Sequence, residues 1–499
     1  MPLPAPLSHQ PPLWVWFLVG TFELVIRLIA LGVVPKRRRA STSTAWLLLI
    51  FLWPVVGVPL YLIFGSWWAM GKALRSDPAA HQLVKGILHG SKGGESGPVN
   101  DGMDERTASL MRLNQKQTSF PPSYGRVLQL LGDTDQAFEA MAREVDQATH
   151  HVNVLYFQTS WDHSTDPLYK SLVRACARGV KVRLLIDHHG LRTIPGWRGF
   201  TRMLDESGIE WHLMLPMSIF KGHIRRPDLR NHRKLLIIDG QKAFIGSHNL
   251  VAADYDTPAY QKAGIEYHDT SVEVSGVVVR QVQAVFASDW YYATKQELSF
   301  EELNLSEDVE ANENIMGQPM QIIPSGPSYP SEPNLRMFIS MVSQARHHVS
   351  IASPYFIPDE PLLAALTGAA MSGVRVDLYV SEQFDQFLVG HAQRAYYESL
   401  LISGVNVHLY APPHMLHSKY VVIDGELAAI GSSNMDYRSF GLNYEVMLLA
   451  QDPHLVQLLE GNNRRIEASS RLLSLEEWSA LPWYKHYIDN ICRLGSALL

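Results

Sequence analysis

The sequence predicts an α/β protein of two repeated halves, each a mixed, largely parallel sheet flanked by helices, behind an N-terminal pair of apolar helices. Three observations carry this. The stretch Asn231-His-Arg-Lys-Leu-Leu-Ile-Ile-Asp239 recurs as Leu416-His-Ser-Lys-Tyr-Val-Val-Ile-Asp424. His232, Lys234, Asp239, Gly246, Ser247 and Asn249 each have a counterpart 185 positions on, at His417, Lys419, Asp424, Gly431, Ser432 and Asn434, so one module is duplicated. Upstream of each copy the pattern runs helix, strand, helix, strand, the β-α-β order of a parallel sheet with right-handed crossovers. Two apolar runs, Leu13 to Val34 and Ala45 to Phe64, precede both halves.

In chain order, residues 1–75 read as a membrane anchor, 76–110 as a linker, 111–317 as the first repeat and 318–499 as the second, with the boundary near Gln318 and Pro319. A chain of 499 residues can form two or three domains with substantial cores. In the first apolar run Glu23 and Arg27 stand four apart, where they pair on one helix face. The run is too long for a signal-peptide core, lacks a small-residue cleavage site and leads into a second apolar segment. Pro54, Gly57 and Pro59 predict that the second run kinks or re-enters. Lys36-Arg-Arg-Arg39 favours a cytoplasmic loop, whereas Lys72, Arg75, Lys85 and Lys92 pull the other way, so the side of the membrane stays open. Trp67 and Trp68 suit an interface anchor or a simple hydrophobic junction, and Gly86 to Asp104 is Gly/Ser-rich.

Within the first repeat, periodicity predicts a helix over 138–148, a strand over 151–157, a helix over 167–178 and a strand over 180–187. The second echoes these at 334–345, 349–356, 361–371 and 374–380. Gly179-Val-Lys-Val182 matches Gly373-Val-Arg-Val376 at an offset of 194, so the first repeat carries nine extra residues before its motif. That longer connection holds Arg225, Arg226 and Arg230, whose guanidinium forks suit phosphate oxygens, although a solvated basic loop explains them equally. Met214 to Phe220 would line an acyl entrance or join the core. Residues 297–313 are acidic and read as a surface connection between the halves. Trp478, Trp483, Tyr484 and Tyr487 in the tail predict an interfacial helix or packing on the core.

Each motif leads into an apolar strand, 235–238 or 420–423, then an Asp-Gly turn and a return strand. On a strand, residues i and i+2 share a face, which would set His232 beside Lys234 and His417 beside Lys419. An imidazole beside an ammonium suits an anionic substrate: the Lys binds oxygen as a point charge and the His does covalent or proton chemistry. Two pairs fit double displacement at a phosphodiester, one His attacking phosphorus and the other handling the proton. Lysines together with Asn249 and Asn434 would hold the non-bridging oxygens. Asp239 and Asp424 precede Gly at hairpins, where Asp is expected for turn reasons alone.

Charged residues make up 18% of the chain and the net charge is -6, which argues against a phosphate-tracking nucleic-acid binder. Two cysteines give no disulfide framework, no Cys/His cluster suggests a metal, and exchange of one phosphodiester for another requires no nucleotide, so no metal or cofactor is expected.

Taken together, these residues resemble the phospholipase D superfamily, whose paired motifs match His232, Lys234, Asp239, His417, Lys419 and Asp424. Gly431-Ser-Ser-Asn-Met-Asp-Tyr-Arg-Ser439, Leu442-Asn-Tyr-Glu445, Ser353-Pro-Tyr-Phe-Ile-Pro358, His232-Arg-Lys-Leu, Gly246-Ser-His-Asn and the apolar hairpin narrow the resemblance to bacterial cardiolipin synthases, over nearly the whole chain. The resemblance implies two phospholipase D-like repeats across a pseudo-two-fold axis with one site between them. It implies that Asp269 and Glu445 orient His232 and His417, supported by Ser247 and Ser432, and that Tyr355 sits near the mouth. It further implies that His232 attacks one phosphatidylglycerol and His417 moves the proton, giving cardiolipin and glycerol in a bacterial inner membrane, with a hydrolysing phospholipase D as the alternative. Membrane lipids are the partners expected and nucleic acid is not. Homo-oligomerisation and use of phosphatidylethanolamine stay open.

Overall fold

The computed structural model describes residues 12–36, 40–66, 78–89, 103–217, 226, 228–305 and 317–495. They divide into two compact units, Met1–Met70 and Gly71–Ala497.

In the first unit the opening apolar run forms one helix, Leu13–Val33, long and apolar enough to cross a bilayer. Its side chains face outward, with Leu13 88% and Phe17 75% exposed, as a helix solvated by lipid requires. Arg27 donates to Glu23 at 2.9 Å, the i,i+4 pairing expected. The second run is not one spanning helix. Ala40–Leu52 stops at Trp53, and Pro54 opens a short helix, Pro54–Leu60, followed by a π-turn at Tyr61–Gly65. Proline lacks the N–H that would continue the first helix and disfavours helical backbone at Trp53, which has φ -136°. The chain then folds back so closely that a Cβ at Gly57 would lie 2.8 Å from Ile50 Cα. Ala30, Val34, Trp46, Ile50 and Tyr61 form the small core. Trp67, Trp68, Lys72, Arg75 and Lys92 lie outside the described residues.

The second unit is organised by strands. In the first half these are β1 (Ser123–Leu131), β2 (His151–Tyr156), β3 (Lys181–Asp187), β4 (Glu210–Met214), β5 (Arg230–Asn231), β6 (Leu235–Ile238), β7 (Lys242–Gly246), β8 (Tyr267–His268) and β9 (Ser271–Ser275). The second half holds β10 (Gln318–Ser325), β11 (His348–Ala352), β12 (Arg375–Ser381), β13 (Asn406–Tyr410), β14 (Met415–Leu416), β15 (Tyr420–Ile423), β16 (Leu427–Gly431), β17 (Asn443–Ala450) and β18 (Ser470–Leu473). The sheet path runs β4-β3-β2-β6-β7-β9-β1 through the first half, then β10-β17-β16-β15-β11-β12-β13-β18 through the second, so strand order repeats outward from the β1–β10 junction. At that junction Ser123 to Gly125 pair with β10, and beyond them β1 pairs with β9.

The sheet is mixed as expected but mainly antiparallel where a largely parallel one was expected, with parallel pairing confined in this path to β2, β3 and β4 and to β11, β12 and β13. The other pairs along it are antiparallel, and in β6–β7 and β15–β16 this follows from Asp-Gly turns too tight for a crossover. Asp239 and Asp424 adopt φ of 51° and 52°, left-handed backbone that Asp tolerates at such turns. Helices at Thr134–Asp146, Asp166–Ala177, Pro333–Gln344 and Glu360–Met371 cover the sheets at the predicted places.

The stretch read as a linker is partly built into the core. Helix Pro78–His89 buries Ala80, Val84, Ile87 and Leu88 at helical spacing, Val84, Ile87 and Leu88 joining the cluster that holds helix Val278–Thr294. Arg280 donates to the Ile87 carbonyl. That i, i+4, i+7, i+8 pattern stood in the sequence, masked by the Gly/Ser-rich segment beside it.

Candidate active site

The two motif histidines do not lie on regular strands. Residues 232–234 and 417–419 bridge two pairings, which breaks the i, i+2 expectation. β5 adds parallel to β17 of the other half, with Asn231 opposite Tyr444, and the His232 N–H donates to the Tyr444 carbonyl at 2.8 Å. The chain then crosses back so that β6 pairs with β2 and β7 of its own half. The second copy does the same: β14 adds to β8, Leu416 lies opposite His268, and the His417 N–H donates to the His268 carbonyl at 2.9 Å.

This exchange sets each histidine beside the carboxylate of the other half. His232 Nδ1 meets Glu445 at 3.0 and 3.2 Å, and His417 Nδ1 meets Asp269 Oδ1 at 2.6 Å. Chain order suggests the opposite partners, since each carboxylate follows the histidine of its own repeat. A carboxylate only accepts, so each Nδ1 carries the proton and each Nε2 keeps its lone pair. Ser432 Oγ donates to Glu445 Oε2 at 2.5 Å. Ser247 instead bonds the backbone of Thr270, beside Asp269.

Lys234 Nζ donates to the His232 carbonyl at 2.7 Å and Lys419 Nζ to the His417 carbonyl at 2.6 Å, leaving further N–H groups on each for an anion. Burial, reinforced by Lys419, pushes Lys234 down to about 7, and burial pushes Lys419 down to about 8. Burial also lowers His417 to about 4 against the pull of Asp269, and lowers His232 against that of Glu445. Burial alone would raise the two carboxyls, but the ring each one bonds holds both below the usual range, so the pairs are neutral imidazole with carboxylate. His232 also feels Lys419, and His417 feels Lys234, so the two copies form one electrostatic cluster.

Asp239 and Asp424 stand apart from this cluster. Asp239 accepts from the N–H groups of Thr149, His150 and His151 and from the Thr149 hydroxyl, and Asp424 from those of Arg346, His347 and His348 and from Arg106. Each ties a hairpin to the start of β2 or β11, the turn role expected of Asp before Gly, and stands away from the histidines and lysines with which the motif groups it. A cleft of about 510 Å³ lined by Arg106, Arg346 and Glu426 belongs to this far end of the sheet and holds none of the motif His or Lys.

The asparagines differ from expectation too. Asn249 Nδ2 donates to Gln158 and Tyr255, and Asn434 Nδ2 to Asp436, while the Oδ1 of each is buried without a hydrogen bond. The Oδ1 of each is thus an acceptor suited to a hydroxyl. Arg226 is engaged by Asp228 and Arg230 is buried in β5, near Asp187, while Arg225 lies outside the described residues. The apolar stretch 214–220 is described only to Met217. Tyr355 Oη donates to Asp385 at 2.9 Å.

Sequence reasoning passed over several residues. Phe157 packs edge-on to His232 at 5.1 Å and Tyr267 edge-on to His417 at 5.5 Å. Arg233 makes a buried pair with Asp289 at 2.6 Å and donates through Nε to the Glu445 carbonyl, fixing the strand that carries Glu445. Arg233 sits inside the first motif, the one local signal that could have singled it out. Among the described residues, Glu266, His268 and His414 form a group able to hold a metal ion.

Comparison with known proteins shows the family and the fold. The model of the family described as "Cardiolipin synthase, PLD-like domain" matches residues 141–290 and 338–466, one stretch in each half. The chain belongs to this family. A model described as "Phospholipase D-nuclease N-terminal" matches residues 25–66. Among similar relatives in the family, the chain is 31% identical to cardiolipin synthase A of Yersinia pestis, across 97% of this chain and 98% of that one. It is 30% identical to cardiolipin synthase A of Pectobacterium atrosepticum with the same coverage. Its fold is similar to that of phosphatidylserine synthase from Haemophilus influenzae Rd KW20, with a TM-score of 0.57, 14% identity, and coverage of 80% of this chain and 100% of that chain.

Proposed function

We propose that this chain is a membrane-bound cardiolipin synthase that moves a phosphatidyl group from one phosphatidylglycerol to another, giving cardiolipin and glycerol. The observation that carries this reading is the pair of crossed His–carboxylate contacts, His232–Glu445 and His417–Asp269, with two buried lysines beside them. Two neutral imidazoles, each oriented through Nδ1, supply a nucleophile and a proton carrier within one cluster. In our reading His232 Nε2 forms a bond to phosphorus as the bond to the departing glycerol oxygen breaks, and His417 delivers the proton to that oxygen. The arriving phosphodiester anion raises the proton affinity of His417, so that Nε2 takes up a proton from water before transfer, offsetting the burial that keeps the ring neutral in the free enzyme. His417 then takes the proton from a hydroxyl of the second phosphatidylglycerol, whose oxygen displaces His232. Lys234 and Lys419 hold the non-bridging oxygens. The free Oδ1 acceptors of Asn249 and Asn434 suit the headgroup hydroxyls.

This reading keeps residues 1–75 as the anchor in a bacterial inner membrane and 111–317 and 318–499 as two repeats related by a pseudo-two-fold axis. Arg230 and Tyr355 would contact the lipid headgroup. The test is purified full-length protein in vesicles containing phosphatidylglycerol, followed by lipid mass analysis. Cardiolipin and free glycerol in equal amounts, lost in His232→Ala and in His417→Ala, support transfer. Phosphatidic acid without cardiolipin makes the enzyme a phospholipase instead. A phosphorylated His417 trapped in His232→Ala would reverse the two histidine roles.

A further inference from the structure

Beside the reacting cluster lies a second group of donors that the transfer reaction does not use. Glu266, His268 and His414 place three potential ligand atoms within 4.8 Å of one another. Glu266 and His268 come from the first half and His414 from the second, on either side of the β8–β14 pairing that carries Asp269 and His417. The Met415 N–H donates to the Glu266 carbonyl at 2.8 Å, so the two backbones are already joined here.

The donor atoms stand at ligand-like separations. His268 and His414 stack, with ring centroids 5.1 Å apart and planes 19° from parallel, so one ring must turn for both lone pairs to meet a single ion. His268 Nδ1 meets the Tyr410 hydroxyl at 2.5 Å, and with that N–H donating to the phenol oxygen Nε2 keeps its lone pair for a ligand. His414 Nδ1 is buried without a hydrogen bond and stands 3.7 Å from Glu266 Oε2. That separation is too long for a hydrogen bond. It is close to the ~3.4 Å between two ligands of one tetrahedral ion whose bonds are about 2.0–2.1 Å long.

We propose that Glu266, His268 and His414 bind one divalent transition ion of the zinc type, which staples the two halves together next to the active site. Two imidazoles and one carboxylate select such an ion over magnesium or calcium, which take oxygen ligands. Three protein ligands leave a fourth position for water. Because ligands from both halves converge, the ion stabilises the folded chain and resists separation of β8 from β14.

The test is calorimetric titration of zinc chloride into purified full-length protein in detergent, paired with thermal melts. One equivalent of zinc should bind and raise the Tm, and a large excess of magnesium should not displace it. His414→Ala and Glu266→Gln should each weaken zinc binding at least about tenfold and abolish the Tm rise while cardiolipin formation without zinc continues. His232→Ala should bind zinc as the parent does. Absence of zinc binding, binding unchanged in both His414→Ala and Glu266→Gln, or binding lost in His232→Ala because the ion sits on the reacting histidines, would each overturn the proposal. The zinc-binding and melting readouts do not depend on which lipid reaction the enzyme performs.

Discussion

His232 and Glu445 stand 213 positions apart in the chain and meet at 3.0 Å, because β5 joins β17 of the opposite half. His417 and Asp269 repeat the arrangement at 2.6 Å through β14 and β8. Neither half alone holds a complete pair, so reactivity depends on both halves being folded against each other.

Removing one carboxylate charge should disable the opposite motif. Glu445→Gln should lower kcat by about 10²-fold or more with little change in KM, since the amide no longer stabilises a charged His232 ring. If His232 is the nucleophile, rapid-quench measurement of the phosphorylated enzyme should show its formation slowed in Glu445→Gln. Normal formation would separate Glu445 from that step.

The aspartates should behave differently. Asp239→Ala removes the acceptor of three backbone N–H groups and a left-handed turn residue, and should destabilise by about 2–4 kcal/mol. Asp239→Asn, which tolerates that backbone, should lose less. Surviving folded protein should keep near-parent turnover, measured as activity per folded molecule after a urea titration. Its N–H partners hold the Asp239 carboxyl below its usual value despite burial, so the stability it adds is present above the unfolded carboxylate pKa near 4 and is lost as pH falls through the folded value.

The rate should fall on the alkaline side earlier than ordinary lysines would allow. Lys234 at about 7 and Lys419 at about 8 lose their charge where a lysine near 10.4 would keep it, so kcat/KM should decline from about pH 7 upward. Lys234→Arg, charged at every pH tested, should move the decline to higher pH even if the rate itself drops. Folding runs the other way. The unfolded lysines bind more protons between these values and 10.4, so stability should rise with pH across that window.

Asp289→Ala should leave the buried Arg233 guanidinium without its pair and destabilise by about 3–5 kcal/mol. Because Arg233 also holds the Glu445 carbonyl, the folded fraction should turn over more slowly as well. Loss of stability with unchanged turnover would limit Arg233 to a structural part.

Much of this was legible in the sequence because it is local. The duplicated motif, the strands 235–238 and 420–423 and the covering helices follow from hydrophobic period and turn chemistry, which act over a few residues. The kink of the second apolar run at Pro54 is of the same kind. Other features depend on which strand lies next to which. Sequence alone left His232 and Lys234 on one strand, because it held no sign that the chain changes sheets between 231 and 235. It could not show that the Asn249 amide donates to Gln158, 91 positions away, leaving its Oδ1 as an acceptor. The sequence by itself determined the duplicated motif and the two-repeat frame. Only the tertiary structure decided that each histidine takes the other half's carboxylate, because a short parallel strand can satisfy its backbone on either half and only the assembled sheet fixes which.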